Sequence, residues 1–462
     1  MKKIYTFSLA ALLGIVLMSG VIDLNHLFNY SNQDTPYYLS KDNTPRNNTL
    51  TDAGATLGRV LFYDKNLSVN NTTACASCHL QEFAFGDTAI VSVGAYGVTR
   101  RHSMRLVNAR FSTEDKAFWD KRASSLEDQA TKPIQDPVEM GFSGINGAPG
   151  FDDLIEKMNG IDYYPLLFKF VFGDSLITEE RVQKALAQFV RSIQSFDSKF
   201  DEGRAQVSNS EVPFPNFTAQ ENMGKDLFFT HPPRGGAGCA RCHSGTEFTI
   251  IPSSQNNGVI AEANDTSAID LTNTNPPSLR DLVNKDGRPN GPFMHNGSLK
   301  TLMDVVNHYD HLEEVPENTN LDFRLSGNIH NLNLTDVQKD ALVAFLETLS
   351  GEEIYTAERW SNPFDEQGNI TIVPLDPDGT SNPGVISSFE VFPNPASDII
   401  HLQMKDGMYQ LRILDMDGRM MRAKVIGANH TEDISTFPNG SYTVHLTNLN
   451  SNGTASKKFV KN

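Results

Sequence analysis

Two five-residue motifs constrain this chain more than any other feature of its sequence. They read C-A-S-C-H at 75–79 and C-A-R-C-H at 239–243, and together they contain every cysteine. Two thiols spaced i, i+3 can form thioether bonds with the two vinyl groups of one haem, and the histidine that follows can bind its iron. The sequence therefore predicts two covalently bound haem c groups, with His79 and His243 as iron ligands. The residues predicted to hold them are Cys75, Cys78, His79, Cys239, Cys242 and His243.

Three other uses of four cysteines are disulfides, a structural zinc site and thioredoxin-like redox pairs. A zinc site usually closes over a much shorter segment than the one between Cys78 and Cys239. A redox C-x-x-C pair has no need of a histidine after it. Haem attachment explains the histidine in both motifs, and we favour it.

The charge and the N-terminus indicate an exported protein. A net charge of −17 and a pI near 5.1 argue against nucleic acid or an anionic membrane surface as a partner. Such a surface can steer a basic electron donor or simply maintain solubility. Lys2 and Lys3 precede an apolar run of twelve residues, 7–18, which is too short to cross a bilayer. We predict a signal peptide at 1–28, and c-type cytochromes as a class receive their haem beyond the inner membrane.

The middle of the chain has helical patterns. A length of 462 residues suggests about three domains. Val182, Leu186 and Phe189 share one face of a helix predicted over 178–200, with Thr178 as its N-cap. Capping-box patterns at 218–221 and 335–338 begin two more helices. We predict a mainly α fold with c-type cytochrome-like haem domains at 29–205 and 206–360.

The C-terminal part has a different pattern. Residues 361–386 are rich in Asn, Pro, Gly and Asp and predict a linker. Short alternating runs after Val391 predict a small antiparallel β-sandwich at 387–462. The phrases V-F-P-N-P-A at 391–396, L-D-M-D-G at 414–418 and K-K-F-V-K at 457–461 resemble the C-terminal sorting domain of type IX secretion. This resemblance implies transit through the periplasm to the cell surface or medium. A carbohydrate-binding or adhesive module is the alternative, but no aromatic platform supports it.

The haem-binding part resembles the bacterial dihaem cytochrome c peroxidase and MauG family. The similarity begins at L-G-R-V-L-F-Y-D, 57–64, and continues through both motifs to about Gly351. It implies a peroxidatic haem at His79 and an electron-transfer haem at His243. By this resemblance Glu139 is the catalytic acid and base, and Gln129 is its hydrogen-bonding companion. Trp119 is the electron bridge between the haems, and Pro133 packs over the distal face. Taken alone, each of these residues is ordinary helix or loop sequence.

One loop departs from the family pattern. Many members carry a histidine soon after the first motif that caps the peroxidatic iron at rest, but here the loop at 94–99 reads G-A-Y-G-V-T. We therefore predict an iron that is five-coordinate at rest and ready for peroxide without prior reduction. His102 occupies a family position that is often asparagine and belongs to an interhaem calcium site, so calcium is an open expectation.

The second iron needs a ligand opposite His243. The downstream candidates are Met294, His295, Met303, His308 and Tyr309. Helical spacing places Tyr309 on a buried stripe, where simple core packing is the more common explanation on spacing alone. The resemblance favours Tyr309, because it lies fourteen residues after His295, where peroxidases have the axial methionine and MauG has tyrosine. An anionic oxygen ligand lowers the reduction potential. His308 and Met294 are the other candidates.

These observations predict an exported dihaem oxidoreductase that reduces hydrogen peroxide. Its electrons would come from a small redox protein or an organic donor. One alternative is a MauG-like oxidase that uses peroxide to oxidise a protein or organic substrate. The other is an electron carrier without catalytic activity. The resemblance also suggests a homodimer.

Overall fold

The chain forms two compact units, Met1–Val373 and Pro374–Asn462, in a computed structural model. The residues that it describes are 20–265, 267–313, 315–326, 331–375, 389–404, 407–416, 419–448 and 454–462. The apolar run of the predicted signal peptide and residues 376–386 of the predicted linker lie outside these ranges. Within them, no helix combines the length and the apolar character needed to cross a membrane.

Helices are the main regular structure of the first unit, and long irregular segments connect them. Threonines at 51, 178, 218, 301 and 335 cap five of them by accepting a backbone N–H of the first turn. The helices are α1 Asp52–Tyr63, α2 Leu126–Ala130, α3 Lys132–Gln135, α4 Phe151–Asn159, α5 Tyr163–Phe172, α6 Glu179–Ser192, α7 Lys199–Ala205, α8 Ala219–Phe229, α9 Leu302–Asp310 and α10 Asp336–Glu347.

The helix predicted over 178–200 ends earlier than expected. Thr178 caps it as predicted, but α6 ends at Ser192 and Ile193 is extended. The helix does not continue, because the backbone of Ser195 pairs with the side chain of Asn108 instead. Asn108 accepts from Ser195 N at 2.9 Å and donates through Nδ2 to Ser195 O at 3.1 Å. A separate helix, α7, begins after Ser198.

The first unit contains two apolar cores, one for each C-x-x-C-H motif. Phe62, Phe189 and Trp360 belong to the first core. The second core surrounds α8 and α10. In each core a glycine lets two helices cross closely, since a Cβ on Gly58 would lie 2.0 Å from Ala185 O. A Cβ on Gly224 would lie 1.8 Å from Ala341 O. The two halves therefore share one helix-packing arrangement.

Short strands extend the first unit at both ends. Strand β1, Val21–Asp23, pairs in parallel with β4, Thr371–Val373. Between them in sequence, β2, His243–Ser244, pairs with β3, Thr249–Ile250. Residues 20–28, predicted as the end of the signal peptide, and 361–373, predicted as linker, therefore lie within the first unit in this structure.

The C-terminal unit is an antiparallel β-sandwich, as predicted. One sheet has the order β5-β6-β9 and the other β11-β10-β7-β8. Inward-facing side chains of both sheets, such as Ile400, Leu411 and Val444, form one apolar core. The strands are β5 Glu390–Phe392, β6 Ile399–Gln403, β7 Met408–Leu414, β8 Met420–Gly427, β9 His430–Asp433, β10 Gly440–Asn448 and β11 Thr454–Lys461. The predicted turn at 417–418 lies outside the described residues.

Candidate functional site

The first C-x-x-C-H motif folds as one tight helical turn. The backbone N–H groups of Cys78 and His79 both donate to Cys75 O, at 3.1 and 3.0 Å. Because the chain makes one turn between them, the thiols of Cys75 and Cys78 lie on the same side. The Nδ1 atom of His79 lies 3.1 Å from Phe85 O. This contact leaves Nε2 as the nitrogen available to an iron.

The second motif repeats the turn between its two cysteines. Cys242 N donates to Cys239 O at 3.1 Å, and His243 begins β2. Burial lowers the pKa of His243 to about 4, so its imidazole is neutral, the form that binds metal. None of the four cysteines forms a disulfide. Burial raises the pKa of Cys75 and of Cys239 to about 12, which is the opposite of the lowered value that a redox C-x-x-C pair needs.

Each motif borders a cavity. The first cavity measures about 680 Å³ and adjoins Cys75, Cys78 and His79. Its volume lies within the range of about 300–1,000 Å³ that small-molecule and cofactor sites occupy. The second cavity measures about 180 Å³ and adjoins Cys239 and His243. In both places two thiols and a neutral imidazole face the same space, which is the donor set that haem c requires.

Trp119 lies between the two cavities and lines both. Its indole Nε1 donates to His102 O at 2.8 Å, and its ring meets that of His295 edge-on at 6.2 Å between centroids. Its carbonyl accepts from Thr274 N at 2.8 Å and from Asn275 N at 3.0 Å. Hydrogen bonds therefore hold both the indole and the backbone of Trp119 at the border of the two cavities, and its role as an electron bridge stays a prediction.

Glu139 lines the first cavity, together with the predicted residues Gln129 of α2 and Pro133 of α3. It ends a turn in which Asp136 Oδ1 accepts from Val138 N at 2.8 Å and from Glu139 N at 3.0 Å. Burial raises the pKa of Glu139 to about 7. The charge of Asp136 adds to the rise, and that of Arg122 opposes it. A carboxyl with this pKa can both accept and release a proton near neutral pH.

The loop that lacks the family histidine packs on the backbone of Glu139. Ala95 N donates to Glu139 O at 2.7 Å, and Tyr96 N donates to Val138 O at 3.1 Å. Glycine is required at position 94, because a Cβ there would lie 2.4 Å from Val138 O. Gly94, Val98 and Thr99 of this loop line the cavity, and the loop brings no imidazole to it.

His102 lines both cavities, but the backbone surrounds its ring nitrogens. Its Nδ1 lies 2.8 Å from Ala89 O. Its Nε2 faces Gly291, 3.4 Å from where a Cβ on that glycine would stand. Five-coordination of the first iron stays a prediction.

Three of the five candidate ligands line the second cavity. Tyr309, Met294 and His295 line it, whereas Met303 and His308 are not among its lining residues. The Nε2 atom of His308 lies 2.9 Å from the backbone carbonyl of residue 257 instead. The geometry therefore favours Tyr309 or Met294 over His308.

Sequence reasoning missed Asn257, which contacts both favoured candidates. Its Nδ2 donates to the Tyr309 hydroxyl at 3.1 Å and lies 3.1 Å from Met294 Sδ. The turn pattern N-N-G at 256–258 marks this loop in the sequence, but nothing local connects it to α9. Arg105, a buried arginine that lines both cavities, was also missed.

Comparisons with known proteins agree with this geometry. The di-haem cytochrome c peroxidase family matches residues 52–208. The methylamine utilization protein MauG of Methylophilus methylotrophus is 30% identical over 314 residues, 66% of this chain and 85% of that protein. The cytochrome c551 peroxidase of Nitrosomonas europaea is 29% identical over 374 residues, 76% of this chain and 93% of that protein. A solved structure of a MauG-like protein associated with microbial copper homeostasis has a TM-score of 0.57 and 27% identity, covering 72% of this chain and 99% of that one.

The C-terminal unit has a match of its own. The secretion-system C-terminal sorting domain matches residues 390–462, which confirms the prediction made from its three sequence phrases. The sorting domain marks the chain for export to the cell surface or the medium.

Proposed function

Because this chain belongs to the di-haem cytochrome c peroxidase and MauG family, we propose that it reduces hydrogen peroxide at its first haem with electrons that arrive through the second. The chain is an oxidoreductase that carries haem c groups. The electron donor in this proposal is a small redox protein or an organic molecule met outside the cell.

The observation that carries the proposal is the Glu139 carboxyl, which lines the same cavity as His79 and has a pKa of about 7. Reduction of one peroxide to two waters takes up two electrons and two protons. When bound at Cys75 and Cys78, the haem supplies the iron at which the O–O bond is cleaved. Glu139 would accept a proton from one peroxide oxygen and deliver it to the other, which would then leave as water.

Gln129 and Trp119 have supporting roles in this proposal. Gln129 lines the same cavity as Glu139 and offers an amide that can orient peroxide or the carboxyl. Trp119 borders both cavities and provides the aromatic path along which electrons pass from the second site to the first.

The test compares Glu139→Ala and Glu139→Gln with a matched control, Glu262→Gln. Glu262 stands at the rim of the first cavity, where it pairs with Arg100 at 3.2 Å. We expect both Glu139 variants to lose about 10²-fold or more in the rate of reaction with peroxide, since they lose the proton carrier. Haem content from the absorption spectrum should stay equal in all proteins. If Glu139→Gln reacts as fast as Glu262→Gln, the acid–base role is wrong. If the wild-type haems show no spectral change with peroxide, the chain is an electron carrier.

A MauG-like oxidase is the second candidate, and the Tyr309 hydroxyl in the second cavity favours it. An anionic oxygen ligand lowers the potential of the second haem, which makes it a poor acceptor from a typical cytochrome donor. Peroxide turnover with a reduced cytochrome and with a phenolic donor, measured side by side, separates the two functions. Faster turnover with the cytochrome supports the peroxidase, and turnover with the phenol alone supports the oxidase.

The chemistry at position 102 does not favour a calcium site. Calcium prefers oxygen ligands, whereas His102 offers an imidazole whose Nδ1 already lies on a carbonyl oxygen.

A further inference from the structure

Arg105 is a buried cation whose surroundings lack a matching anion. Its side chain is 9% exposed and lines both cavities. Its Nη2 donates to Ser278 O at 3.2 Å, but its Nε is buried without a hydrogen-bond partner.

The other buried arginines of this unit have an aromatic ring or a carboxylate beside them. Arg59 and Arg204 lie over the rings of Phe28 and Tyr38, and two more form ion pairs. Arg191 forms an ion pair with Glu127, and Arg280 forms one with Asp201 at 2.7 Å. Among the described residues, no carboxylate lies within 4 Å of the Arg105 guanidinium, although Asp281 acts on it from farther away. Burial lowers the pKa of Arg105 only to about 10, so it stays charged at neutral pH. A buried charge of this kind calls for an anion in contact with it.

We propose that Arg105 is a cofactor-binding residue whose guanidinium pairs with a haem propionate where the two cavities meet. Each haem carries two propionate carboxylates, and a guanidinium binds a carboxylate through parallel N–H donors. The Nε of Arg105, which has no hydrogen-bond partner, is one such donor, and the residue lines both cavities. This inference depends on haem attachment and not on the proposed reaction with peroxide.

The pairing affects the electron affinity of the haems. Ferric haem carries one more positive charge than ferrous haem, so a nearby cation disfavours the ferric state and raises the reduction potential. The effect is strong here because the guanidinium is buried and weakly screened. Since Arg105 borders both cavities, its removal lowers the midpoint potentials of both haems, and most for the haem whose propionate it binds.

The experiment measures both midpoint potentials by spectroelectrochemistry in the full-length holoprotein. Arg105→Leu is compared with Arg105→Lys and with Arg100→Gln, a control that removes the same charge from a side chain that is 80% exposed. We expect Arg105→Leu to lower at least one midpoint by about 59 mV, a tenfold change for a one-electron couple. In Arg105→Lys both midpoint potentials should stay close to the wild-type values, because the positive charge is kept. In Arg100→Gln they should change little.

Resonance Raman spectra of the propionate bending region give a second measurement that needs no turnover. Both Arg105 variants should shift a propionate band that stays in place in Arg100→Gln, because lysine cannot reproduce the paired N–H donors. If Arg105→Leu keeps both midpoints and all propionate bands of the control, the pairing does not exist. If Arg105→Leu fails to mature with haem, Arg105→Lys decides, and unchanged propionate bands in that variant overturn the proposal.

Discussion

The titration of Glu139 should set the pH dependence of the reaction with peroxide. Burial, with the neighbouring charge of Asp136, raises the pKa of Glu139 to about 7. Only the carboxylate can accept the first proton, so the rate should follow its fraction. That fraction is about one in eleven at pH 6 and about ten in eleven at pH 8, so the rate should rise about tenfold over this interval.

Two substitutions should move this transition in opposite directions. Asp136→Asn removes the second negative charge and lowers the pKa of Glu139, while its amide oxygen can still accept from Val138 N and Glu139 N. Arg122→Gln removes the positive charge that opposes the rise, so the pKa of Glu139 increases. Glu139 stays buried in both variants, so its pKa should remain above the ordinary value for glutamate.

Stopped-flow mixing with peroxide between about pH 5 and about pH 9 measures the transition. The wild type should show its midpoint near the pKa of Glu139, Asp136→Asn on the acid side of it and Arg122→Gln on the alkaline side. Glu139→Gln serves as the control and should react slowly with a flat profile in this range. A transition that survives in Glu139→Gln, or that stays in place in both charge variants, would refute the assignment of the titrating group.

Three further outcomes follow from the structure. Tyr309→Phe should abolish the low-spin signal of the second haem in electron paramagnetic resonance, and an unchanged signal would rule Tyr309 out as its ligand. Trp119→Phe should leave the first haem reactive with peroxide but slow the oxidation of the second haem, and equal rates at both haems would show that the indole is no bridge. Gly58→Ala should destabilise the first core by about 1–3 kcal/mol in denaturant unfolding, since its Cβ would meet Ala185 O. An unaltered midpoint would show that α1 and α6 can separate at no cost.

Features that depend on a few consecutive residues could be predicted from the sequence. The haem motifs depend on five consecutive residues, and the caps at Thr178, Thr218 and Thr335 depend on four. The alternating apolar and polar residues after Val391 correctly predicted strands, because this alternation is typical of a strand with one buried face. Glu139, Gln129 and Trp119 were identified by resemblance, and their convergence on the cavities depends on contacts that no local pattern contains.

Long-range hydrogen bonds account for what the sequence did not reveal. The predicted helix over 178–200 is interrupted because Ser195 pairs with Asn108, which lies 87 residues earlier in the chain. Asn257 reaches Tyr309 across 52 residues. Polar side chains in loops have no periodicity, so their partners become visible only after the chain folds.

One sequence signal was present and overlooked. The stretches G-R-V-L-F at 58–62 and G-K-D-L-F at 224–228 precede the two haem motifs at similar distances. In the structure, the glycine of each stretch lies against a neighbouring helix backbone and the phenylalanine enters the adjoining core. The two halves are therefore related in helix packing as well as in haem attachment.

Arg101 links the segments around the two haem sites through ion pairs that remain charged in the pH range where Glu139 titrates. Arg101 binds Asp120 at 2.6 Å on the segment that carries Trp119, and binds Asp270 at 2.7 Å on the segment that lies across from it. Burial opposes ionisation of Asp270, yet its hydrogen bond with Arg101 lowers its pKa to about 2. The pKa of Asp120 is also lowered, because contact with Arg101 outweighs the burial. Both carboxylates are thus ionised from pH 5 upward, so a change in rate near pH 7 does not come from loss of the Arg101 ion pairs.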